Sequence, residues 1–382
     1  MRSIAISSRI AFQEPSSLAE RRSSSPPCEN TARIDRSCCL TVNSQSWSGK
    51  SPEGTNTRSG SVCFDFIFTI PLRMQNYKDI IRDLGRPPLS PFQRALVPVA
   101  RWYLGLLPTT LPNYYEHRQP LQRAKMEYED ECERRSFQAF FGGALTFTGA
   151  DVLDFGCGYG GRTVRYKELG ARSVAGTEII PEMVAEARQF AELKGVEITI
   201  VQIEESRPLP FRDESFDIVC SYDVFEHAAS VEEALKECYR LLRPNGTLYA
   251  VFPPFHLPHG GSHLHGYVSR SPFPNLLFPC PTLVVAAEQL MRARKQRYRP
   301  PVFRHSDPLW GVNGTTLSGF HRLITRIPFR EVKCRHSPLV SPFRSKWERW
   351  HMKYYALPFK LVANLPLLWE IFTDRVILEA TR

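Results

Sequence analysis

Short apolar runs and amphipathic segments alternate through the middle of the chain, and this pattern predicts strands and helices in turn. The runs that predict strands are VLDFG, SVAGTE, EITIVQ, FDIVCSYD and GTLYAVF, all within residues 152–252. Helical periodicity follows the first, second and fourth runs, and it is interrupted at Gly195 and at Pro244. Such alternation is typical of βαβ units, so we expect an α/β fold with a doubly wound, mostly parallel sheet.

The same pattern divides the chain into four parts. Residues 1–73 begin with a stretch rich in Ser, Arg, Pro and Asn that lacks apolar periodicity, which predicts a disordered tail. The composition changes at Met74, so a working protein that starts there stays open as an alternative. We expect a helical extension over 74–140, a ligand-binding core over 141–255, and over 256–382 an inserted helical and loop cap followed by the last strands.

Two segments of the extension predict helices. Residues 92–107 are apolar, with Arg94 and Arg101 seven positions apart on one helical face. This stretch is interpreted either as a helix lying on a membrane surface or as a helix packed on the main domain, and we favour packing. Residues 119–140 predict a polar helix.

The net charge of +10 is concentrated in the C-terminal third, where residues 268–382 hold 19 Lys and Arg against 7 Asp and Glu. A basic surface of this kind either binds phosphate, anionic lipid or nucleic acid, or is a solvated face that keeps the protein in solution. No RNA-binding module is visible, so we expect no nucleic-acid partner, and peripheral membrane contact stays open.

The cysteines and the apolar runs bear on localisation. Ten cysteines are scattered without a CxxC pair, which predicts reduced thiols and neither a redox motif nor a zinc motif. No apolar run reaches 18 residues, so no membrane-spanning helix is expected. We predict a cytoplasmic protein, with membrane association as an alternative, and leave the oligomeric state open.

Glycines crowd the end of the first predicted strand, in VLDFGCGYGG. Gly156, Gly158 and Gly161 satisfy the G-x-G-x-x-G pattern of dinucleotide-binding proteins, and Glu178 follows about 20 residues later. Such a turn lets a ligand approach the backbone at the end of a parallel strand. The glycines alone do not distinguish a nicotinamide-dependent dehydrogenase from other proteins that bind a ligand at such a turn.

Further motifs decide between these alternatives. VLDFGCGYG resembles the first motif of the class I S-adenosylmethionine-dependent methyltransferases, including the aspartate before the first glycine. PLPFRDESFDIVCSYDVFEH and LLRPNGTLYAVFPP resemble the later motifs of the type 11 methyltransferase group, in the same order and spacing. The resemblance covers about residues 150–255 and implies a Rossmann-like class I methyltransferase fold with S-adenosylmethionine as cofactor.

The resemblance also implies which residues bind the cofactor. The glycines would wrap its methionine part above Asp154, Glu178 would accept hydrogen bonds from the ribose, and Ile179 would flank the adenine. Either Glu204 or Glu205 would contact the adenine, and the sequence does not choose between them. The full set of implied cofactor-binding residues is Asp154, Phe155, Gly156, Cys157, Gly158, Gly160, Glu178, Ile179, Glu204, Glu205, Ser221, Tyr222 and Asp223.

Histidines supply the candidates for catalysis. FHLPHGGSHLHGY carries His256, His259, His263 and His265, but their spacing matches no zinc pattern and no nearby cysteine completes one, so we expect no metal. His227, His256 and His263 are candidate general bases, and the catalytic group is left open.

These observations predict a methyltransferase that acts on a small or lipid-like molecule with an apolar part. The nucleophile, whether oxygen, carbon or nitrogen, is not identified. FPPF at 252–255 is similar to a motif of amino-group methyltransferases, but it follows the fifth strand instead of the fourth, which excludes that interpretation. An RNA-directed methyltransferase, a nicotinamide-dependent dehydrogenase and a non-catalytic scaffold are the alternatives.

Overall fold

The computed structural model describes residues 88–109, 121–134, 136–205, 207–257, 261–295, 307–309, 311–338 and 368–382. All of them belong to one compact unit. The predicted tail and His259 lie outside the described residues. Along the described part of the chain, no helix has the length and apolar character needed to cross a membrane.

Within the described residues, seven strands form one sheet. In chain order they are β1 Asp151–Phe155, β2 Ser173–Glu178, β3 Thr199–Gln202, β4 Phe216–Tyr222, β5 Leu242–Phe252, β6 Glu331–Pro338 and β7 Thr373–Thr381. Their order across the sheet is β3-β2-β1-β4-β5-β7-β6, and β7 runs in the direction opposite to the other six. The predicted doubly wound, mostly parallel α/β fold is confirmed.

The helices that the sequence predicts between these strands are present. The described α-helices are α1 Pro91–Leu106, α2 Gln122–Arg134, α3 Gly161–Glu168, α4 Pro181–Lys194, α5 Val231–Leu241, α6 Pro274–Leu277, α7 Cys280–Ala293, α8 Leu317–Ile324 and α9 Trp369–Phe372. Gly195 ends α4 with φ +64, and the Ser230 hydroxyl accepts the backbone N–H of Glu233 at the start of α5.

The sheet buries both of its faces because successive strand residues point in opposite directions. Leu153 and Val219 pack in one cluster with residues of α5 and α8. Val152 and Ile218, one position earlier in each strand, pack in another cluster with Phe137, Phe147 and Tyr166. Apolar side chains on both faces explain why the central strands are near-continuous hydrophobic runs.

The structure differs from the predicted elements at three places. The polar helix ends at Arg134 instead of residue 140, because the buried Glu131 carboxylate accepts the Ser136 hydroxyl and the Phe137 N–H and so closes a turn. Strand β5 starts four residues early, at Leu242, with a register shift in its pairing to β4 that accommodates Pro244. Strand β6 is one of the last strands expected after the cap, but its position was not predicted.

The chain between β5 and β6 holds α6, α7 and α8, as expected for an inserted helical and loop segment. Helix α1 buries Val97, Ala100 and Leu104 in one cluster with residues of α7. This burial agrees with the interpretation of the segment as a helix packed on the rest of the protein. Its other face leaves Phe92 and Trp102 more than half exposed.

Candidate active site

A cavity of about 970 Å³ opens at the carboxyl ends of the parallel strands. It lies where β1 and β4 are neighbours and the chain order reverses, which is the ligand-binding position of doubly wound sheets. Ten of the thirteen predicted cofactor residues line it, namely Phe155, Gly156, Cys157, Gly158, Glu178, Ile179, Glu204, Glu205, Tyr222 and Asp223.

Gly156 and Gly160 shape the turn between β1 and α3. Their φ angles are +79 and +77, a region that favours glycine. A Cβ atom on Gly156 would lie 2.4 Å from Cγ2 of Val224, and one on Gly160 would lie 2.7 Å from Cβ of Ala187. Both positions therefore require glycine for conformation and for space, and the turn leaves the backbone open to the cavity.

The Glu178 carboxylate is fixed at the end of β2 by three backbone N–H groups. Oε1 accepts those of Ile179 at 2.8 Å and Ile180 at 3.0 Å, and Oε2 accepts that of Gly158 at 3.1 Å. Burial raises the pKa of Glu178, and these hydrogen bonds oppose the rise. A carboxylate has about four acceptor sites, so a ligand hydroxyl takes the remaining one or displaces a backbone donor.

Two acidic groups lie at the glycine turn. Asp154 is buried beneath it and accepts the Thr163 hydroxyl at 2.6 Å; burial raises the pKa of Asp154 to about 6. Glu127, from α2, accepts the Gly161 N–H at 3.3 Å, and burial raises its pKa to about 7 despite the charges of Arg162 and Arg123. A positively charged ligand group would favour the ionised form of both carboxyls.

The end of β4 forms the opposite wall. The Arg162 guanidinium lies 4.1 Å from the centroid of the Tyr222 ring, a cation–π contact. Asp223 adopts φ +56, rare for a residue with a side chain, and pairs with Arg375 from β7. These contacts fix the two side chains where they meet the cavity.

The domain family is decided by a match to this same segment. The family model described as "Methyltransferase domain" matches residues 153–250, which include β1, the glycine turn and β4. Residues 153–250 are thus similar to a methyltransferase domain. The resemblance seen in the sequence is confirmed, and the cofactor of the methyltransferase domain is S-adenosylmethionine.

Curated relatives match about a quarter of this chain. Demethylmenaquinone methyltransferase of Thermus thermophilus is 37% identical over 105 residues, which are 27% of this chain and 47% of that protein. Ubiquinone biosynthesis O-methyltransferase of a Chelativorans species is 33% identical over 106 residues, 28% of this chain and 41% of that protein. The chain thus spans less than half the length of these two relatives.

A solved structure is also similar. An S-adenosylmethionine dependent methyltransferase from Mesorhizobium loti aligns with a TM-score of 0.41 and 16% identity, over 66% of this chain and 99% of that chain.

The remaining predicted residues are placed as follows. Asp154, Gly160 and Ser221 do not contribute to the cavity surface; Asp154 and Ser221 are buried below it. Glu204 and Glu205 both line the cavity and both are exposed, so the structure does not choose between them. Glu204 pairs with Arg207 at 3.0 Å.

The candidate histidines separate into two groups. His227 and His263 line the cavity of the methyltransferase domain, with ring centroids 4.9 Å apart. His256 does not line it and is half-buried elsewhere in the inserted segment. The roles of all three in catalysis stay predictions.

Sequence reasoning missed several charged residues in or beside the cavity. Among them are Glu127 and Arg162, which line it, and Glu226 and Arg375, which do not. Glu127 belongs to a helix whose polar composition gives no indication that one carboxyl faces a cavity. Arg375 comes from the last strand, and only the sheet order brings it beside β4. Glu226 lies within a recognised motif and Arg162 follows another by two residues, so their positions after β4 and after β1 were an available signal.

Proposed function

We propose that this protein transfers a methyl group from S-adenosylmethionine to a small or lipid-like acceptor with an apolar part. The observation that carries the proposal is the Glu178 carboxylate, held by the Gly158 N–H at the floor of a large cavity in a methyltransferase domain.

The cofactor would lie across the ends of β1 and β2. Glu178 would accept a hydrogen bond from the ribose, with Ile179 beside the adenine and Glu204 or Glu205 near its edge. The methionine part would follow the turn of Gly156, Gly158 and Gly160, and its ammonium would face Glu127, which lines the cavity, with Asp154 buried beneath the turn. Two carboxyl groups with raised pKa values support this orientation, because a cation relieves their cost of ionisation.

The sulfonium would then point toward Tyr222 and Asp223. Methyl transfer is an in-line displacement in which the acceptor atom forms a bond to the methyl carbon as the bond from sulfur to carbon breaks. The electron pair of the broken bond stays on sulfur, which becomes a neutral thioether. The protein's contribution is alignment of acceptor, methyl carbon and sulfur, and the fixed walls of this cavity suit that task.

The character of the acceptor is inferred from the cavity and from relatives. Apolar side chains line part of the cavity, including Met126, Met183, Ile203 and Leu209. The relatives' names refer to demethylmenaquinone and to ubiquinone biosynthesis. Both facts favour an apolar acceptor with a nucleophilic ring position or hydroxyl.

A radiolabel assay with the full chain tests the proposal. The protein is incubated with methyl-labelled S-adenosylmethionine and a panel of apolar phenols and lipid-like hydroxyl compounds, with total RNA as a separate acceptor. We expect label in an organic extract, with an equal amount of S-adenosylhomocysteine formed. Transfer to RNA and to none of the small molecules would contradict the proposal.

A further inference from the structure

Glu226 carries a buried carboxylate that the fold leaves without hydrogen bonds. It follows β4 and is 2% exposed, and within the described residues neither Oε1 nor Oε2 has a hydrogen-bond partner. Arg375 is near, but it forms its ion pair with Asp223 instead. Burying a polar group without partners is costly, so a side chain of this kind calls for a further ligand.

Two imidazoles meet this carboxylate. One nitrogen each of His227 and His263 and one oxygen of Glu226 all lie within 4.8 Å of one another. Nε2 of His227 is 3.8 Å from Oε1 of Glu226. Two histidines and one carboxylate form a common donor set of metal sites that keep an open coordination position.

The orientation of His227 fits this role. Its Nδ1 is hydrogen-bonded to the backbone carbonyl oxygen of Gly311. Since a carbonyl oxygen only accepts, Nδ1 carries the proton and Nε2, on the side of Glu226, carries the lone pair. A metal-binding histidine is typically oriented in this way, by a backbone carbonyl on its other nitrogen.

The inserted segment braces the cluster from a second side. Nδ2 of Asn313 donates to the carbonyl oxygens of Phe225 at 2.7 Å and Ala228 at 2.8 Å. The backbone N–H of Asn313 donates to the carbonyl oxygen of Glu226 at 2.8 Å. These bonds hold the turn that carries Glu226 and His227 against the segment that carries Gly311.

His263 is held in an unusual backbone conformation, with φ +56. Strained residues of this kind cluster at functional sites, where the surrounding structure maintains them. His263 and His227 also line the cavity that holds the glycine turn and Glu178. An ion at this cluster would therefore face the space proposed for the acceptor.

We propose that Glu226, His227 and His263 bind a divalent ion of the zinc class, and that an acceptor hydroxyl occupies its open position. Binding of the ion is independent of the proposed methyl transfer, whereas its role toward the acceptor rests on that proposal. Coordination would favour loss of the hydroxyl proton to water. The resulting oxygen anion attacks the methyl carbon, and the electron pair of the sulfur–carbon bond stays on sulfur.

Titration of the metal-stripped full chain with Co²⁺ tests the site, because the visible absorption of bound Co²⁺ reports its ligands. We expect the wild type to bind Co²⁺. The affinity should fall by more than about 100-fold in Glu226→Gln and in His263→Gln. Loss of a residue that only supports a metal ligand usually costs about 10- to 100-fold, so a larger loss indicates a direct ligand. His256→Gln, in the same loop but outside the cluster, serves as the matched control and should leave binding unchanged.

A second control separates this cluster from another group of possible ligands. His321, Cys334 and His336 also lie close together, in α8 and β6. The proposal is wrong if Co²⁺ does not bind, if Glu226→Gln and His263→Gln leave binding unchanged, or if the only bound Co²⁺ is lost in Cys334→Ser.

Two further measurements guard against misfolded variants and against confusion with the proposed function. Zn²⁺ should raise the Tm of the wild type and not that of Glu226→Gln, since only a folded state with the site is stabilised by the ion. S-adenosylhomocysteine binding is measured on the same samples. Co²⁺ binding without S-adenosylhomocysteine binding would support the metal site and contradict the methyltransferase proposal. S-adenosylhomocysteine binding without Co²⁺ binding would support the methyltransferase proposal and contradict the metal site.

Discussion

Arg375, on the last strand of the sheet, pairs with Asp223 at the end of β4, 152 positions earlier in the chain. The pair joins the C-terminal strand to the cavity wall, and the Arg375 guanidinium also lies 5.8 Å from the centroid of the Tyr222 ring. The antiparallel strand β7 thus supports the site in addition to completing the sheet.

Replacing Arg375 by Met should destabilise the protein through this pair. Loss of one partner costs about 3–5 kcal/mol for a fully buried pair and about 0–1 kcal/mol for an exposed one. Both side chains are partly exposed, at 23% and 37%, so we expect an intermediate loss of about 1–3 kcal/mol in urea unfolding. Lys333→Met removes the ion pairs of a more exposed side chain, 52% accessible, in the same sheet and is the control. Equal effects of the two changes would contradict the structural role of Arg375.

The glycine turn gives a second prediction. Gly156→Ala should abolish S-adenosylhomocysteine binding, because the new methyl group would overlap Val224 and displace the turn or the β4 end. We expect a stability loss of about 2–4 kcal/mol, from the left-handed conformation and the overlap together. Gly195→Ala is the matched control: its φ is +64 but nothing lies within 4 Å of the new Cβ. It should cost about 1 kcal/mol and leave ligand affinity unchanged. Normal binding by Gly156→Ala would contradict the prediction.

The pH dependence of cofactor binding gives a third prediction. Glu127 has a pKa of about 7 in the unliganded protein, and Asp154 a pKa of about 6. The proposed ammonium contact favours their ionised forms, so binding releases protons and S-adenosylhomocysteine affinity should rise as the pH increases from 6 to 8. Calorimetry at several pH values measures this. Glu127→Gln should bind more weakly at pH 8 and show a smaller rise, whereas a wild-type affinity independent of pH would contradict the assigned contact.

The core of the fold was predictable because its signals are local. Apolar runs bounded by Gly195, Ser230 and the glycines after β1 fix where strands and helices alternate, and parallel β-strands then meet at one edge. The resemblance to the class I methyltransferases is what implied that Glu178 and Asp223 belong to a common site. The strand β6 could not be recognised, because an edge strand with the sequence EVKCRHSP lacks an apolar run.

The rest of the site depends on contacts between distant parts of the chain. Helix α2 brings Glu127 to Gly161, and β7 brings Arg375 to Asp223, and neither pairing leaves a local pattern. The expectation of no metal came from the spacing of the histidines and from the lack of a nearby cysteine in the sequence. His263 is 36 positions after His227, so spacing within the histidine-rich loop could not indicate that these two side chains converge on Glu226.

The central claim is that Glu178 belongs to the site that binds S-adenosylmethionine. The most direct test is calorimetric titration of the full chain with S-adenosylhomocysteine, comparing wild type with Glu178→Ala and with Glu192→Ala, an exposed glutamate on α4. Loss of a charge-assisted hydrogen bond costs about 1.5–3 kcal/mol, so Glu178→Ala should weaken binding by about 10- to 100-fold or more, and Glu192→Ala should not. A folded wild type that fails to bind, or a folded Glu178→Ala protein that binds as tightly as wild type, would contradict the claim.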